Sequence, residues 1–249
     1  MIPYKLRYVL ACLNKPRDVT SALRFLFRRD VSIPFIARLR YVAQIYSISL
    51  HVWCVHTEEE ILEIAAAILA TPPELEGVVV EAGCYKGGST AKLSLAARLA
   101  NRRLVVFDSF EGLPDTDEPP QRSIFGESAH FKGGLYRGAY AEVVDNVRRF
   151  GDIGRCRFVK GWFEDTMPGF AEDVVVGFLD VDLASSTRTC IKFLFPRLRV
   201  GGSLFSQDGH LPLVIDVLED DEFWKHEVGR SKPPMDGLRT TKLVRMVNR

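Results

Sequence analysis

The sequence lacks the marks of several protein classes. Its five cysteines (Cys12, Cys54, Cys84, Cys156 and Cys190) show no CxxC spacing, which argues against a zinc site. An odd, scattered set reads as free thiols and predicts a reducing cytoplasm. No apolar run suits a membrane span. The stretch 33–55 is interrupted by Arg38, Arg40 and His51, and reads as an amphipathic packing or dimer segment. The piece from Tyr8 to Leu13 is too short for a signal-peptide core. A net charge of +1 gives no overall nucleic-acid signal. There is no internal repeat and no low-complexity tract.

What is present suits one α/β domain with an extension: 249 residues, 47% apolar and 26% charged. The charge is unevenly spread. Residues 1–40 hold nine Lys/Arg (Lys5, Arg7, Lys15, Arg17, Arg24, Arg28, Arg29, Arg38 and Arg40) against Asp18 and Asp30, a local +7. Such a block is either a solvated basic face or a contact for an anionic substrate or partner.

The most informative stretch is 77–114. Val78 to Val80 is an apolar run ending in Glu81; a turn with Gly83, Gly87 and Gly88 follows, then a helical stretch, then Leu104 to Phe107 ending in Asp108. Strand, glycine turn, helix and strand followed by an acid form a nucleotide-binding half-unit. The dinucleotide fingerprint wants a second glycine where this chain has Tyr85, so a pyrophosphate would meet a side chain. An acid followed by spaced glycines suits a ligand without phosphates and with an amino-acid-like end, such as S-adenosylmethionine. Asp108 sits where a ribose diol would be gripped. The candidate cofactor residues are Glu81, Gly83, Tyr85, Gly87, Ser89, Asp108, Ser109, Trp162 and Asp180.

The remaining elements follow from local pattern. Residues 1–50 read as helical pieces broken by Pro16 and Pro34, outside the main sheet. Thr57 and Glu60 predict a capping box, with the helix stopped by Pro72-Pro73. Residues 115–137 are polar and rich in Gly, Pro and charge, and read as a lid with Phe125, His130, Phe131 and Tyr136 as contacts, or as a disordered loop. Tyr140–Phe150 is a helix and 157–160 a third strand, after which Trp162 or Phe163 would lie against a base or in the core. Val174–Leu179 is a fourth strand ending in Asp180-Val181-Asp182. On an extended chain those two acids would point the same way, at a strand end where open sheets bind ligands. A helix follows over 185–194, then a strand 203–206 closing on Gln207-Asp208-Gly209-His210, a helix 211–224 and a final strand 241–247. If the fourth and fifth strands are neighbours, Asp180, Asp182 and Asp208 converge, a set that hard cations such as magnesium favour.

The segments VVEAGCYKGGS, VVFDSFEGLP, GWFEDTMP, FLDVDLASST and FPRLRVGG, in this order, resemble the macrocin O-methyltransferase (TylF-type) family across about 50–225. That resemblance implies a Rossmann-like class I methyltransferase sheet flanked by helices, with an N-terminal helical extension, acting on sugar hydroxyls of natural products with S-adenosylmethionine. It divides the chain into an arm, 1–56, carrying substrate and homo-oligomer contacts, and a methyltransferase domain, 57–249. It makes Asp182 the general base and Asp180, Gln207 and Asp208 the magnesium ligands. Gln207 stands where the family has a carboxylate, which predicts weaker magnesium affinity. Leu183-Ala184-Ser185-Ser186 stands where the family has a Tyr and a Glu before its Ser-Thr. The partner expected is a small molecule, with no nucleic acid or membrane. Three other readings remain: metal-free transfer to an amine or phenol, a nicotinamide-dependent oxidoreductase, and a cofactor-binding domain without catalysis.

Overall fold

The computed structural model describes residues 16–249, Ser32 excepted. The piece Tyr8 to Leu13, Cys12, and the basic residues Lys5, Arg7 and Lys15 lie outside the described residues.

Thr57 opens α3 (Glu58–Ala70) with the expected capping box, its hydroxyl taking the Glu60 amide while Glu60 takes the Thr57 amide. Ahead of it stand α1 (Pro16–Leu26) and α2 (Phe35–Ser49). The basic block is partly consumed here. Arg38 donates to the carbonyls of Leu26, Arg28, Val31 and Ile33, stitching the α1–α2 connection, and Arg28 pairs with Asp30 and with Glu63 of α3.

The sheet is built from β1 (Val78–Ala82), β2 (Leu104–Asp108), β5 (Cys156–Lys160), β6 (Val174–Leu179), β7 (Leu198–Ser206), β8 (Met235–Asp236) and β9 (Val244–Val247). Its order is β5-β2-β1-β6-β7-β9-β8, with the first five parallel and β9 antiparallel to both β7 and β8. The helices are α4 (Gly88–Leu99), α5 (Tyr140–Phe150), a short α6 (Phe163–Thr166), α7 (Ala184–Leu194) and α8 (Pro212–Glu219). β1 and β6 are all-buried apolar runs, apart from Glu81, because helices cover both faces. One core layer joins the N-terminal helices to the sheet: Phe25, Tyr41, Ile45 and Ile48 share a cluster with Val79, Val106 and Phe178. Tyr41 and Ile45 are packing residues there.

One expectation is corrected, and of the two readings open for 115–137 the disordered one is set aside. The helix expected over 211–224 is two segments. The Asp220 carboxylate takes the amides of Glu222 and Phe223, ending α8 and starting a π-helical turn at Phe223–Val228. The 115–137 loop is ordered chain. It contains the hairpin β3 (Gln121–Arg122) and β4 (Ser128–Ala129), docked by Ile124 N–H on the His210 carbonyl and by Gln121 Oε1 on the Leu213 amide. Glu118 accepts the amides of Ala184 and Ser185, capping a helix whose own N-cap residue, Leu183, has no side-chain acceptor. Among the described residues no helix is long and apolar enough to cross a membrane.

Candidate functional site

Strand order reverses between β1 and β6, the crevice where an open parallel sheet binds ligands. The two strand ends touch there. Gly83 has φ +82°, and a Cβ on it would lie 2.0 Å from the Asp180 carbonyl oxygen, so only glycine fits. A cleft of about 790 Å³, its open mouth included, lies over this junction. It is lined by Gly83, Tyr85, Asp108, Ser109, Trp162 and Phe163, and also by Val55, Tyr136, Asp180, Val181, Asp182 and Ser186.

The Asp108 carboxylate takes the Cys84 amide at 2.7 Å and the Phe110 amide at 2.6 Å. It therefore ties the glycine turn to the loop after β2, and each oxygen keeps a lone pair for the cleft. Glu81, Gly87 and Ser89 are not cleft walls. Glu81 is fully buried, and neither of its oxygens accepts a hydrogen bond of good geometry, although the Ser89 and Thr90 hydroxyls lie near it. Burial raises it to about 7, with the Ser89 and Thr90 hydroxyls and His56 pulling the other way. Tyr85 and Tyr136 both have positive φ, 47° and 56°, and meet edge to face at 5.9 Å across the cleft. Backbones of this kind in non-glycine residues concentrate at binding sites.

Asp180 and Asp182 both reach the cleft, but not as alternate residues of an extended strand. Asp182 has φ +60°, and the Leu183 amide bonds the Val181 carbonyl at 2.6 Å, a γ-type turn that aims Asp182 inward. Asp208, at the end of the neighbouring β7, accepts the amides of Val181 and Asp182 with one oxygen, at 3.2 and 3.0 Å. Burial raises Asp182 well above the usual carboxylate range, and the charges of Asp208 and Asp180 push it further. Burial also raises Asp208, with Asp180 adding to it.

A hard cation needs several oxygens turned to one point. Here Asp180 Oδ2 is taken by His56 Nε2 at 2.8 Å, and Asp208 Oδ2 by two backbone amides. Gln207 is uncharged and buried, and its Oε1 has no partner. No group of three or more His, Cys, Asp or Glu among the described residues is placed to hold a metal ion. One oxygen of each carboxylate is engaged and the third ligand carries no charge, so the set fits magnesium less well than three free carboxylates would.

His210 stacks on Phe125 at 6.3 Å and anchors the hairpin through its carbonyl. Sequence reasoning missed His56 and Glu118. A histidine in the arm and a glutamate in a polar loop carry no local signal of the partners they reach.

The family model for macrocin O-methyltransferase (TylF) matches residues 60–221. The chain belongs to this family. A Streptomyces olivaceus relative, the 8-demethyl-8-(2,3-dimethoxy-alpha-L-rhamnosyl)-tetracenomycin-C 4'-O-methyltransferase, is 32% identical over 149 residues, 58% of this chain and 57% of its own. The demethyldecarbamoylnovobiocin O-methyltransferase of Streptomyces niveus is 30% identical over 137 residues, covering 53% and 52%. The chain thus spans about half the length of the curated TylF-type relatives it matches. Among solved structures, the O-methyltransferase NovP superposes with TM-score 0.62 at 25% identity, covering 77% of this chain and 81% of its own. CalS11, a calicheamicin methyltransferase, shares the fold with TM-score 0.61 at 16% identity, covering 94% and 93%.

Proposed function

We propose that this chain transfers the methyl group of S-adenosylmethionine to a hydroxyl of a sugar carried by a natural product. The observation that carries the reading is one cleft joining two kinds of wall. A glycine turn with Asp108 and Trp162 suits a nucleoside with an amino-acid tail, and Asp180 and Asp182 line the same cleft. Membership in the TylF family and the printed activities of the relatives support the same chemistry.

In this reading Asp108 takes the ribose diol and Trp162 or Phe163 borders the adenine. Gly83 and Tyr85 flank the methionine part, whose sulfonium carries the methyl. Holding the acceptor oxygen in line with that methyl removes much of the barrier, about 7–11 kcal/mol when alignment is good. As the O–CH3 bond forms, the S–CH3 bond breaks and the sulfonium becomes a neutral thioether. The hydroxyl proton passes to the Asp182 carboxylate. A carboxylate raised by burial and by neighbouring charge is a stronger base than a solvated one, which suits a weakly acidic sugar hydroxyl. Val55 and Tyr136 frame the acceptor end. No step is routed through a metal ion.

The test is direct. With S-adenosylmethionine and an aryl α-L-rhamnoside as probe acceptor, the purified protein is expected to release S-adenosylhomocysteine and an O-methylated glycoside. Thermal stabilisation by NADH without stabilisation by S-adenosylhomocysteine would overturn the reading.

A further inference from the structure

A buried polar chain runs from the N-terminal helices to the acceptor end of the cleft. Ser49 Oγ, at the end of α2, donates to Glu58 Oε1 at 2.5 Å, and Lys92 Nζ of α4 donates to the same oxygen at 3.1 Å. The Lys92 and Glu58 side chains are 0% and 5% exposed. Lys92 faces the Cys54 thiol. Cys54 Sγ lies 3.2 Å from His56 Nδ1, and His56 Nε2 lies 2.8 Å from Asp180 Oδ2. The imidazole is 6% exposed and stands edge-on to Phe178 of β6, its ring centre 5.3 Å away.

Packing alone does not account for such a chain. A buried ion pair seldom stabilises a fold more than apolar side chains of the same volume, because both charges lose their water. This one ends at a carboxylate that lines the cleft. An ionised carboxylate only accepts, so Nε2 carries the proton toward Asp180 and Nδ1 is left to Cys54. With both ring nitrogens engaged and Phe178 packed edge to face beside it, the imidazole has one orientation, and it passes that constraint to Asp180. Gln207 adds no charge on the other side of the cluster.

We propose that His56 is a positioning residue of the acceptor site, fixing Asp180 through the Nε2–H···Oδ2 bond. The proposal rests on the methyl-transfer reading above. His56 holds back one oxygen of Asp180 and leaves the other for the cleft, so the acceptor meets a carboxylate of set orientation. Cys54, with Lys92 and Glu58 behind it, keeps the imidazole from turning away.

The experiment compares wild type with His56→Ala, His56→Gln and His56→Asn, using S-adenosylmethionine and the aryl α-L-rhamnoside. It reads kcat, KM for each substrate, the calorimetric Kd for S-adenosylhomocysteine, and Tm. His56→Ala is expected to lower kcat about ten- to a hundredfold, the cost of a misplaced group. Affinity for S-adenosylhomocysteine should stay within about twofold, because His56 touches Asp180 and not the glycine turn. His56→Gln, whose amide extends as far as Nε2, should recover most of the rate. His56→Asn reaches toward Cys54 but not Asp180, and should not. If His56→Ala fails to fold, the Gln and Asn pair decides, and equal kcat in the two overturns the proposal. Wild-type kcat in His56→Ala overturns it as well, while leaving the methyl-transfer reading in place. A wild-type protein that binds S-adenosylhomocysteine yet methylates no glycoside removes both.

Discussion

One oxygen of Asp208 accepts the backbone amide of Asp182 at 3.0 Å, so the acid at the end of one strand holds the turn that carries the acid of the next. The same oxygen takes the Val181 amide, leaving Asp182 little freedom despite its positive φ.

Asp182→Asn is therefore expected to reduce kcat by about a hundredfold or more, as loss of a general base does, with S-adenosylhomocysteine affinity nearly unchanged. A pH–rate profile adds a second check. A protonated carboxyl cannot take the acceptor's proton, and Asp182 holds its own proton to a higher pH than a solvated aspartate. The rate should rise with pH, with its acidic limb above the usual carboxylate range. A variant with wild-type turnover would remove Asp182 from the base role.

Glu81→Gln should make stability less dependent on pH. Glu81 is fully buried, and burial moves its pKa from 4.5 up to about 7. An acid raised in this way binds its proton more tightly in the native state. Its contribution is present in full below about 4.5 and is lost as pH rises through about 7. Ligand-free wild type and Glu81→Gln should match near pH 4, and the variant should gain on the order of 3 kcal/mol relative to wild type by pH 8. Parallel Tm curves across that range would contradict the assignment.

Glu118→Ala removes the acceptor for two amides at the start of α7. Loss of a cap of this kind costs about 1 kcal/mol. The hairpin segment 115–137 should be cleaved faster in limited proteolysis, and KM for the acceptor should rise while that for S-adenosylmethionine holds. Unchanged cleavage would mean that the His210 and Leu213 contacts suffice to dock the hairpin.

Chelation should leave the initial rate intact, since Asp180 and Asp208 are engaged by His56 and by backbone amides and Gln207 is neutral. Calorimetric titration with magnesium chloride should give no saturable heat. A rate lost in EDTA and regained with magnesium would reinstate Asp180, Gln207 and Asp208 as ligands.

The strands and helices of the sheet were legible because each is written locally. Val78–Ala82 and Val174–Leu179 are apolar runs, Thr57–Glu60 is a capping box, and Gly83 sits where no Cβ fits. That Asp180 and Asp182 reach the cleft was legible, but not how. The period-two rule gave the direction of both acids, while the chain achieves it by a turn at Asp182 that no side-chain pattern announces. His56 was not legible, because its partner lies 124 residues away and a single histidine beside a capping box has no period. Glu118 was hidden for the same reason, reaching helix amides 66 and 67 residues on. Long-range pairs of this kind depend on topology, which local spacing does not encode.

His56 is the last residue before the capping box, and its side chain bonds Asp180, which lines the cleft. A border drawn between residues 56 and 57 thus separates His56 from the cleft residue it bonds. Recombining TylF-type proteins at that border would carry the His56–Asp180 contact across two parents, and an arm inherited from a different parent would bring its own version of the acceptor site. Chimeras joined there should differ in turnover and acceptor preference even when every residue from Thr57 onward is identical.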